Sequence, residues 1–514
     1  MNDNKLNQKF YYITTPIYYV NDVPHIGHSY TCIAADIIAR YKRLSGFEVL
    51  FLTGTDEHGI KIEEAAKKVN KSPQEFVDDI VVRFKELKEI LNLSNNDFIR
   101  TTEKRHIGFV QNMYLKLYEK GFIYESFYEG LYCTGCEDYF TQKDLIDGKC
   151  PIHKKEPIVI KEKGYFFKLS NFRQQLIEIY ENNLNLIKPK GKVTEVLNRL
   201  KNEELRDLYI SRKDFNWGIP LPWNQEYVFW VWTEALFNYL SVFGEINNEK
   251  CNQFWPADVH LIGKDILWFH TVIWHALLLA LDLPLPKLVF AHGWWTISGQ
   301  KMSKTLGNVV YPSDIVKKYG TDVFRFTLMR EMSFGSDGDF SEARLIQCQN
   351  TDLADNLGNL VNRTLVMTKK YCDGIIPTPH EQEAIDLELI EKKDSVINNY
   401  TLYMDDFKFN LVLSDIWALL DKANYYINKT EPWNLYKVAK IDRVETIIYN
   451  LNEIIRIVGI LIYPFIPNTA EKIESIYDYK IMNLKNVNVG VLKPKFKLLQ
   501  DNLILFNKIK LDNM

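Results

Sequence analysis

The first 52 residues follow a strand–helix–strand pattern that restricts the fold more than any other feature of the sequence. Residues 10–20 are rich in aromatic and β-branched side chains, as a strand requires, and apolar residues then recur at helical spacing up to Gly46. Residues 47–52 form a continuous apolar run, which is typical of a strand buried on both faces of a parallel sheet. This order predicts a right-handed crossover unit and therefore an α/β fold that begins near the N-terminus.

Two helices extend this first α/β unit. Residues 72–75 read Ser-Pro-Gln-Glu, a capping box with proline at the first helical position, and they predict a helix that runs to about Asn92. A second long helix is predicted from about Thr102 to Lys120, with Gly121 at its end.

The α/β alternation lapses at about residue 124 and returns after residue 225. The intervening segment is rich in Lys and Gly and holds a cluster of cysteines, so it is predicted to be an insertion. Short buried-strand runs return at 228–232, 259–262 and 288–290. From about residue 343 only helical spacing persists, up to Ile466, which predicts a helical bundle.

Composition and charge exclude several classes of protein. The 514 residues include 63 basic and 66 acidic side chains, for a net charge of −3, and 46% of them are hydrophobic. These values are ordinary for a folded protein of roughly three or four domains and exclude a disordered or fibrous chain. The near-equal numbers of basic and acidic side chains argue against a generally basic nucleic-acid coat protein. They remain compatible with a local basic surface.

The cysteines and the apolar segments bear on location. Seven cysteines, unevenly spread, do not form a paired extracellular scaffold. The N-terminus has no export pattern, and the most apolar stretch, residues 268–281, is too short and too polar to span a bilayer. We therefore expect a cytoplasmic protein that does not contact membranes.

Four metal-type ligands occur in two short pairs. Cys133 and Cys136 form one Cys-x-x-Cys pair, and Cys150 and His153 form a second pair with the same spacing. Three sulfurs and one imidazole nitrogen suit tetrahedral zinc, and a site with four protein ligands is closed to substrate. The spacing therefore predicts one structural Zn²⁺.

Two motifs suit phosphate binding. His25, Gly27 and His28 lie where the first strand hands over to the first helix, and there the helix N-terminus favours an anion. The absent side chain of Gly27 would let a nucleotide base lie against the backbone. Lys301 and Lys304 lie in a Gly-flanked loop and could close over a polyphosphate as mobile charges.

These motifs resemble the HIGH and KMSKS signatures of class I aminoacyl-tRNA synthetases, and the whole chain is similar to the methionyl-tRNA synthetase family. The resemblance implies a ligase that converts methionine and ATP to methionyl-adenylate and pyrophosphate. The methionine would then pass to the 3′-terminal ribose of tRNA(Met), including the initiator tRNA. Mg²⁺ is expected with the ATP. Thr305 replaces the usual serine of the second motif but keeps the hydroxyl.

The resemblance implies a full set of site residues. His25, His28, Lys301 and Lys304 would be catalytic. ATP would be bound by His25, Gly27, His28, Gly263, Asp265, Trp295, Lys301 and Lys304. Methionine would be bound by Ile17, Tyr19, Asp56, Trp232, Ala235, Leu236, Tyr239, Ile266, Phe269, His270 and Trp274. A carboxylate such as Asp56 suits an α-ammonium group, and aromatic rings suit a thioether. Glu234 departs from the family's more usual aspartate.

The helical region is expected to read the anticodon. Asn359 and Arg363 are one helical turn apart, and Trp433 follows Pro432. By resemblance these three residues, Asn359, Arg363 and Trp433, contact the anticodon by hydrogen bonding and base stacking. No β-barrel pattern follows the helices, so we expect a monomer, and the insertion is too short for a separate editing domain of typical size.

The expected fold class is α/β, with a Rossmann-like parallel-sheet catalytic domain split by a zinc-knuckle insertion and followed by an α-helical anticodon-binding bundle. The boundaries are 1–123, 124–225, 226–342 and 343–514. Two alternatives stay open. Another class I synthetase, with cysteine as the nearest competing substrate, would bring zinc to the substrate and leave the aromatic pocket unexplained. A zinc-bearing RNA-binding scaffold with an inactive synthetase fold would not need the four motif side chains.

Overall fold

The computed structural model describes residues 8–133, 138–140, 144–152, 154–213, 216–302, 308–477, 482–500 and 502–510. The predicted strands and helices of the first α/β unit are β1 (Lys9–Tyr19), α1 (Ile26–Leu44), β2 (Phe47–Asp56), α3 (Pro73–Ile90) and α4 (Lys104–Glu119). Helix α2 (Ile60–Lys68) and strand β3 (Asp97–Arg100) were not predicted from the sequence. The capping box is confirmed, because Ser72 and Glu75 each accept a backbone N–H bond from the other.

The region predicted as an insertion contains mainly short strands. Its elements are β4 (Ile123–Cys133), β5 (Asp138–Phe140), β6 (Ile158–Phe167), α5 (Arg173–Asn182), β7 (Ile187–Lys188), α6 (Lys190–Asn202), β8 (Leu208–Tyr209), β9 (Ser211–Arg212), β10 (Pro220–Leu221) and β11 (Asn224–Phe229). The antiparallel sheet β5–β4–β6–β8 carries the cysteine segment, since β4 ends at Cys133.

The second α/β segment completes the α/β unit. It holds α7 (Val231–Ala235), α8 (Asn238–Ser241), α9 (Glu249–Phe254), β12 (Val259–Gly263), α10 (Trp274–Ala280), β13 (Val289–His292), β14 (Trp295–Ile297), β15 (Gln300–Lys301), α11 (Pro312–Tyr319), α12 (Thr321–Arg330) and β16 (Gly338–Asp339). A π-helical turn, Phe269–Ile273, precedes α10.

Helices account for most of the remaining described chain. They are α13 (Glu342–Gln347), a π-helix (Cys348–Gly358), α14 (Asn359–Cys372), α15 (Ala384–Asp405), α16 (Phe409–Thr430), α17 (Pro432–Lys437), α18 (Ile441–Ile462) and α19 (Pro467–Glu474). The side chains of α18 are buried from Thr446 to Ile462, which makes it the central helix of the bundle. Over the described ranges, every helix falls short of the length and apolar character needed to cross a membrane.

The main sheet is parallel, with the strand order β3–β2–β1–β12–β13–β7. Strands β2 and β3 follow one another on one side of β1. After the insertion, β12 and β13 follow on its other side. Ile13 of β1 pairs with Val259 of β12, so the direction of strand order reverses between these two strands. Such a switch point leaves a crevice at the carboxyl ends of the strands.

Two features of the sheet differ from expectation. The edge strand β7 lies inside the predicted insertion and pairs with β13, and its two residues are too few to give a recognisable pattern. The run 228–232 was predicted as a strand of the main sheet, and this was wrong. Its first residues belong to β11 in a small antiparallel sheet, and helix α7 begins at Val231. A short buried apolar run cannot distinguish a strand from a buried helical turn.

A buried ion-pair network joins the α/β unit to the helical bundle. Asp36 of α1, whose side chain is fully buried, accepts hydrogen bonds from Arg40 and Arg325 at 2.8 and 2.7 Å. Arg325 of α12 also donates to the carbonyl oxygens of Pro464 and Phe465, which follow α18, at 2.8 Å each. Burial alone would raise the pKa of Asp36, but the two arginines outweigh it and the pKa lies below the usual value.

Candidate functional site

A cleft of about 570 Å³ opens at the switch point of the parallel sheet. Its walls come from the ends of β1, β2, β12 and β13, from the first turn of α1 and from α7. The predicted site residues that line it are Ile17, Tyr19, His25, Gly27, His28, Asp56, Trp232, Gly263, Asp265, Ile266 and Trp295. Residues far apart in sequence therefore meet where an α/β sheet ordinarily binds a ligand.

The two histidines of the first motif cap helix α1. Nδ1 of His25 accepts the N–H of Gly27, and Nδ1 of His28 accepts the N–H of His25, each at 3.0 Å. Because each Nδ1 is an acceptor, the proton of a neutral ring lies on Nε2, where it can donate to a ligand oxygen. The motif thus fixes the tautomer of both rings and caps the helix at the same time.

His28 is held in a neutral form. Its ring packs edge-on against Tyr18 and Phe84, with centroids 4.8 and 5.4 Å away. Burial, and then the neighbouring His25, lower the pKa of His28 well below its ordinary value. At pH 7 the ring therefore offers a neutral N–H donor.

A Cβ at Gly27 would lie 2.8 Å from Cε1 of His25, so the approach of that ring requires glycine.

Asp265 and two tryptophans form the wall on the β12–β13 side. Exposed Asp265 accepts a hydrogen bond from Nε1 of Trp294 at 3.1 Å, and a Cβ at Gly263 would lie 2.6 Å from the same carboxylate oxygen. Trp295 is only 3% exposed and packs edge-on against Tyr30. Trp294 is the more accessible ring of the pair, and Nζ of Lys264 lies 4.3 Å above it.

The predicted methionine side of the cleft is aromatic with one carboxylate. Asp56 is the last residue of β2 and is 6% exposed. Trp232 lines the cleft and stacks on Phe269 with the ring centroids 4.5 Å apart. A carboxylate beside stacked rings suits a ligand that carries both an ammonium group and an apolar, polarisable side chain.

The other predicted pocket residues are buried. They are Ala235, Leu236, Tyr239, His270 and Trp274, and each is at most 6% exposed. Nδ1 of His270 lies 2.9 Å from the carbonyl oxygen of Ile266, and its Nε2 lies 2.7 Å from the hydroxyl of Tyr239. Burial lowers the pKa of His270 to about 4, so the ring is neutral at pH 7.

The lysine motif begins at the cleft. Hairpin β14–β15 turns at Ser298 and Gly299, both with positive φ, and ends at Lys301. Met302 lines the cleft. Lys304 and Thr305 lie outside the described residues, as do Cys136 and His153 of the metal pairs. The remaining metal-type ligands, Cys133 and Cys150, are 3% and 1% exposed.

The predicted anticodon residues lie in the helical bundle. Asn359 is exposed in the first turn of α14, and Arg363, half-buried in the next turn, donates to Asn428 of α16 at 3.1 Å. Trp433 is half-buried in α17, which begins shortly after Asn428. The Arg363–Asn428 bond links α14 to the end of α16 that leads into the tryptophan turn.

The cleft-lining residues that were not predicted from the sequence include Lys61, His292 and Trp294. His292 and Trp294 directly follow the predicted strand 288–290, so the rule that ligands bind at the carboxyl ends of parallel strands would have found them. Lys61 follows β2 in the same way, with its Nζ 5.7 Å from the ring of Tyr19. His292 bonds to Thr31 of α1 at 2.7 Å and so joins β13 to the first motif.

Comparisons with known proteins agree with this geometry. The family model "tRNA synthetases class I (M)" matches residues 11–156 and 138–365, and "Anticodon binding domain of methionyl tRNA ligase" matches 376–511. A methionine–tRNA ligase of Caldanaerobacter subterraneus is 49% identical over 90% of this chain and 73% of its own length. One of Thermotoga maritima is 44% identical over 94% and 78%. The Mycobacterium tuberculosis methionyl-tRNA synthetase in complex with methionyl-adenylate superposes with a TM-score of 0.93 at 36% identity, covering 97% and 100% of the two chains.

Proposed function

The chain belongs to the methionyl-tRNA synthetase family of class I, and from that membership we propose how its cleft carries out the ATP-dependent ligation of methionine to tRNA(Met), initiator tRNA included. One observation carries the proposal. The two Nε2-protonated histidines of α1 line the same cleft as the carboxylate of Asp56 and the ring of Trp232. A phosphate-binding group and an amino-acid-binding group thus share a single space of about 570 Å³.

Adenylation needs no covalent intermediate with the protein. A carboxylate oxygen of methionine attacks the α-phosphorus of ATP, the bond to the bridging oxygen breaks, and pyrophosphate leaves with the negative charge. We assign the Nε2–H groups of His25 and His28 to the phosphate oxygens, where charge grows as that bond breaks. Donors placed before the reaction stabilise the transition state more than the ground state.

The remaining ATP contacts follow from the positions in the cleft. Asp265 lies at the mouth and suits the ribose hydroxyls, while Gly27 leaves room for a base against α1. We propose that Trp295, which lines the same wall, contacts the adenine side of ATP. Lys301 and Lys304 are proposed to approach the leaving pyrophosphate from the loop that begins at β15. Mg²⁺ would neutralise part of the phosphate charge when it is bound with ATP.

The amino acid would lie between β2 and the stacked rings. We propose that Asp56 binds the α-ammonium group, and that Tyr19, Trp232 and Phe269 contact the side chain. Ile17 and Ile266 complete the apolar surface. Ala235, Leu236, Tyr239, His270 and Trp274 are proposed to complete the methionine pocket, with neutral His270 bonding to Tyr239 and to the backbone of Ile266.

The helical bundle is proposed to bind the anticodon through Asn359, Arg363 and Trp433. Asn359 and Arg363 can hydrogen-bond to unstacked bases, and the indole of Trp433 can stack on one of them. Monomeric state, cytoplasmic location and the domain boundaries stay predictions from the sequence.

Methionine-dependent ATP–pyrophosphate exchange tests the proposed function. We expect exchange with methionine and much weaker exchange with cysteine, because the aromatic pocket suits the longer thioether. Absence of exchange with both amino acids would favour the inactive scaffold, and stronger exchange with cysteine would favour the other synthetase.

Trp433→Ala is the matched control for the tRNA half of the reaction. It should leave exchange unchanged, because adenylation requires no anticodon. Stacking on one base is worth about 1–3 kcal/mol, so kcat/KM for charging of tRNA should fall roughly 5- to 150-fold. Unaltered charging would remove Trp433 from its proposed role.

The zinc assignment predicts a loss of bound metal. Buried thiols at the end of β4 and at Cys150 are suitable donors for a closed Zn²⁺ site, with Cys136 and His153 as the other ligands. Cys133→Ala should reduce zinc content, measured by mass spectrometry of the purified protein, from about one ion per chain to near zero. Cys251→Ala, which removes a buried thiol of α9, is the control and should keep its zinc. Equal zinc in both variants would contradict the site.

A further inference from the structure

A buried carboxylate beside the cleft bonds to two histidines that the adenylation chemistry does not use. Oε1 of Glu234 lies 2.7 Å from Nδ1 of His58, and its Oε2 lies 2.8 Å from Nε2 of His106. Glu234 and His106 are fully buried, and His58 is 4% exposed. Both carboxylate oxygens are therefore satisfied without water.

The three residues come from three different elements around the amino-acid side of the cleft. His58 lies two residues after Asp56, in the segment between β2 and α2. Glu234 lies two residues after Trp232, in α7. His106 belongs to α4, and its Nδ1 bonds to Ser241 of α8 at 2.9 Å. The cluster thus joins the segment that directly follows Asp56 to the helix that contains Trp232.

A second set of hydrogen bonds, which does not involve Glu234, also fixes the β2–α2 segment. Trp217 accepts the N–H of Gly59 at 3.1 Å and donates its indole N–H to the carbonyl oxygen of Glu57 at 2.6 Å. The Glu57 side chain is itself held by Thr55 and Arg100 at 2.6 and 2.8 Å. The Glu234–His58 bond supplies a direct link from this segment to α7.

The carboxylate is held in its charged form. Burial would raise the pKa of Glu234, but His58 and His106 outweigh it, and the pKa lies below the usual value. A buried carboxylate with two donors is costly to disturb, because removal of one donor leaves an unsatisfied oxygen. The spacing of the three elements is therefore stiff. The glutamate side chain is longer than that of aspartate by one methylene group, or roughly 1.5 Å. Its carboxylate reaches the rings of both His58 and His106.

We propose that Glu234 is a positioning residue for methionine recognition, which acts through His58 to set the separation between Asp56 and Trp232. This role rests on the proposed function. Asp56 would bind the ammonium group and Trp232 the side chain, so their separation decides which amino acid spans the two. The ATP contacts of α1 do not depend on this link.

The test compares His58→Asn with His58→Ala in pyrophosphate exchange. The Nδ2 group of asparagine takes the place of the imidazole Nδ1 and preserves the bond to Glu234, whereas alanine removes it. Misplacement by about 1 Å can cost up to roughly 100-fold, so we expect His58→Ala to raise KM for methionine about 10- to 100-fold. KM for ATP should change less than twofold, and His58→Asn should keep both constants near those of the wild type.

Glu234→Asp is the second variant, and shortening the side chain should raise KM for methionine in the same selective way. Glu453→Gln is the matched control, since Glu453 is equally buried and bonded to Arg456 at 2.6 Å, but it lies in α18. It should lower Tm without separating the two KM values. Active-site titration corrects kcat for any inactive fraction.

Several results would overturn the proposal. These are equal effects of His58→Asn and His58→Ala, parallel increases in both KM values, or a loss confined to Tm and active fraction. Wild-type protein without methionine-dependent exchange would overturn the proposed function and the positioning role together. Wild-type exchange combined with uniform effects in the variants would overturn the positioning role alone.

Discussion

His28→Asn should lower the rate of methionyl-adenylate formation by about 10²- to 10³-fold, the typical cost of removing one preorganised donor from a transition state. The reason lies in the two nitrogens of the ring. Nδ1 of His28 caps α1 by accepting the N–H of His25 at 3.0 Å, and Nε2 is left to donate to phosphate. The amide oxygen of asparagine can replace the acceptor, but nothing in that side chain reaches the position of Nε2.

The matched variant is His28→Gln, whose longer amide places an N–H near the position of Nε2 but loses the cap. It should retain more of the adenylation rate than His28→Asn and be less stable to heat. Single-turnover formation of adenylate and thermal unfolding measure the two effects separately. A faster rate for the asparagine variant than for the glutamine variant would contradict the donor role of Nε2.

Arg325→Ala should destabilise the protein by about 3–5 kcal/mol, because it breaks a fully buried ion pair. Asp36 would lose one of its two arginine partners, and the carbonyl oxygens of Pro464 and Phe465 would lose their donor. The shift in urea midpoint, multiplied by the slope of the transition, gives the change in the free energy of unfolding.

Arg344→Ala is the control for this measurement. Arg344 pairs with Glu331 at the surface, where an exposed ion pair contributes about 0–1 kcal/mol. A loss of less than about 1 kcal/mol for Arg325→Ala, equal to that of the control, would show that the buried network does not hold the α/β unit to the bundle.

Local patterns in the sequence predicted the first α/β unit well. Strand β1, helix α1 and the Ser72 capping box are each determined by neighbours in sequence, and the structure shows all three. The motif of His25 and His28 lies at the predicted junction of strand and helix, because that junction is itself a local signal. His292 and Trp294 reach the same cleft only through the parallel sheet, so no local pattern places them there.

Other features had no local signal at all. β7 has two residues, and its strand character comes entirely from pairing with β13. The Glu234 cluster joins residues from the β2–α2 segment, α4 and α7, so no single window of sequence contains it. Tyr239, His270 and Trp274 stay predicted methionine contacts, and their burial comes from tertiary packing that side-chain type alone does not indicate.

The pairing of β1 with β12 also bears on how the protein is made. Ile13 pairs with Val259, so one edge of the first strand stays open while all the residues between them are synthesised. At about 5–20 residues per second this takes on the order of ten to fifty seconds. An apolar strand with an unpaired edge can join other chains during that time. The strand that later lies at the centre of the sheet is therefore exposed to such pairing for about half of the time that the chain takes to be synthesised.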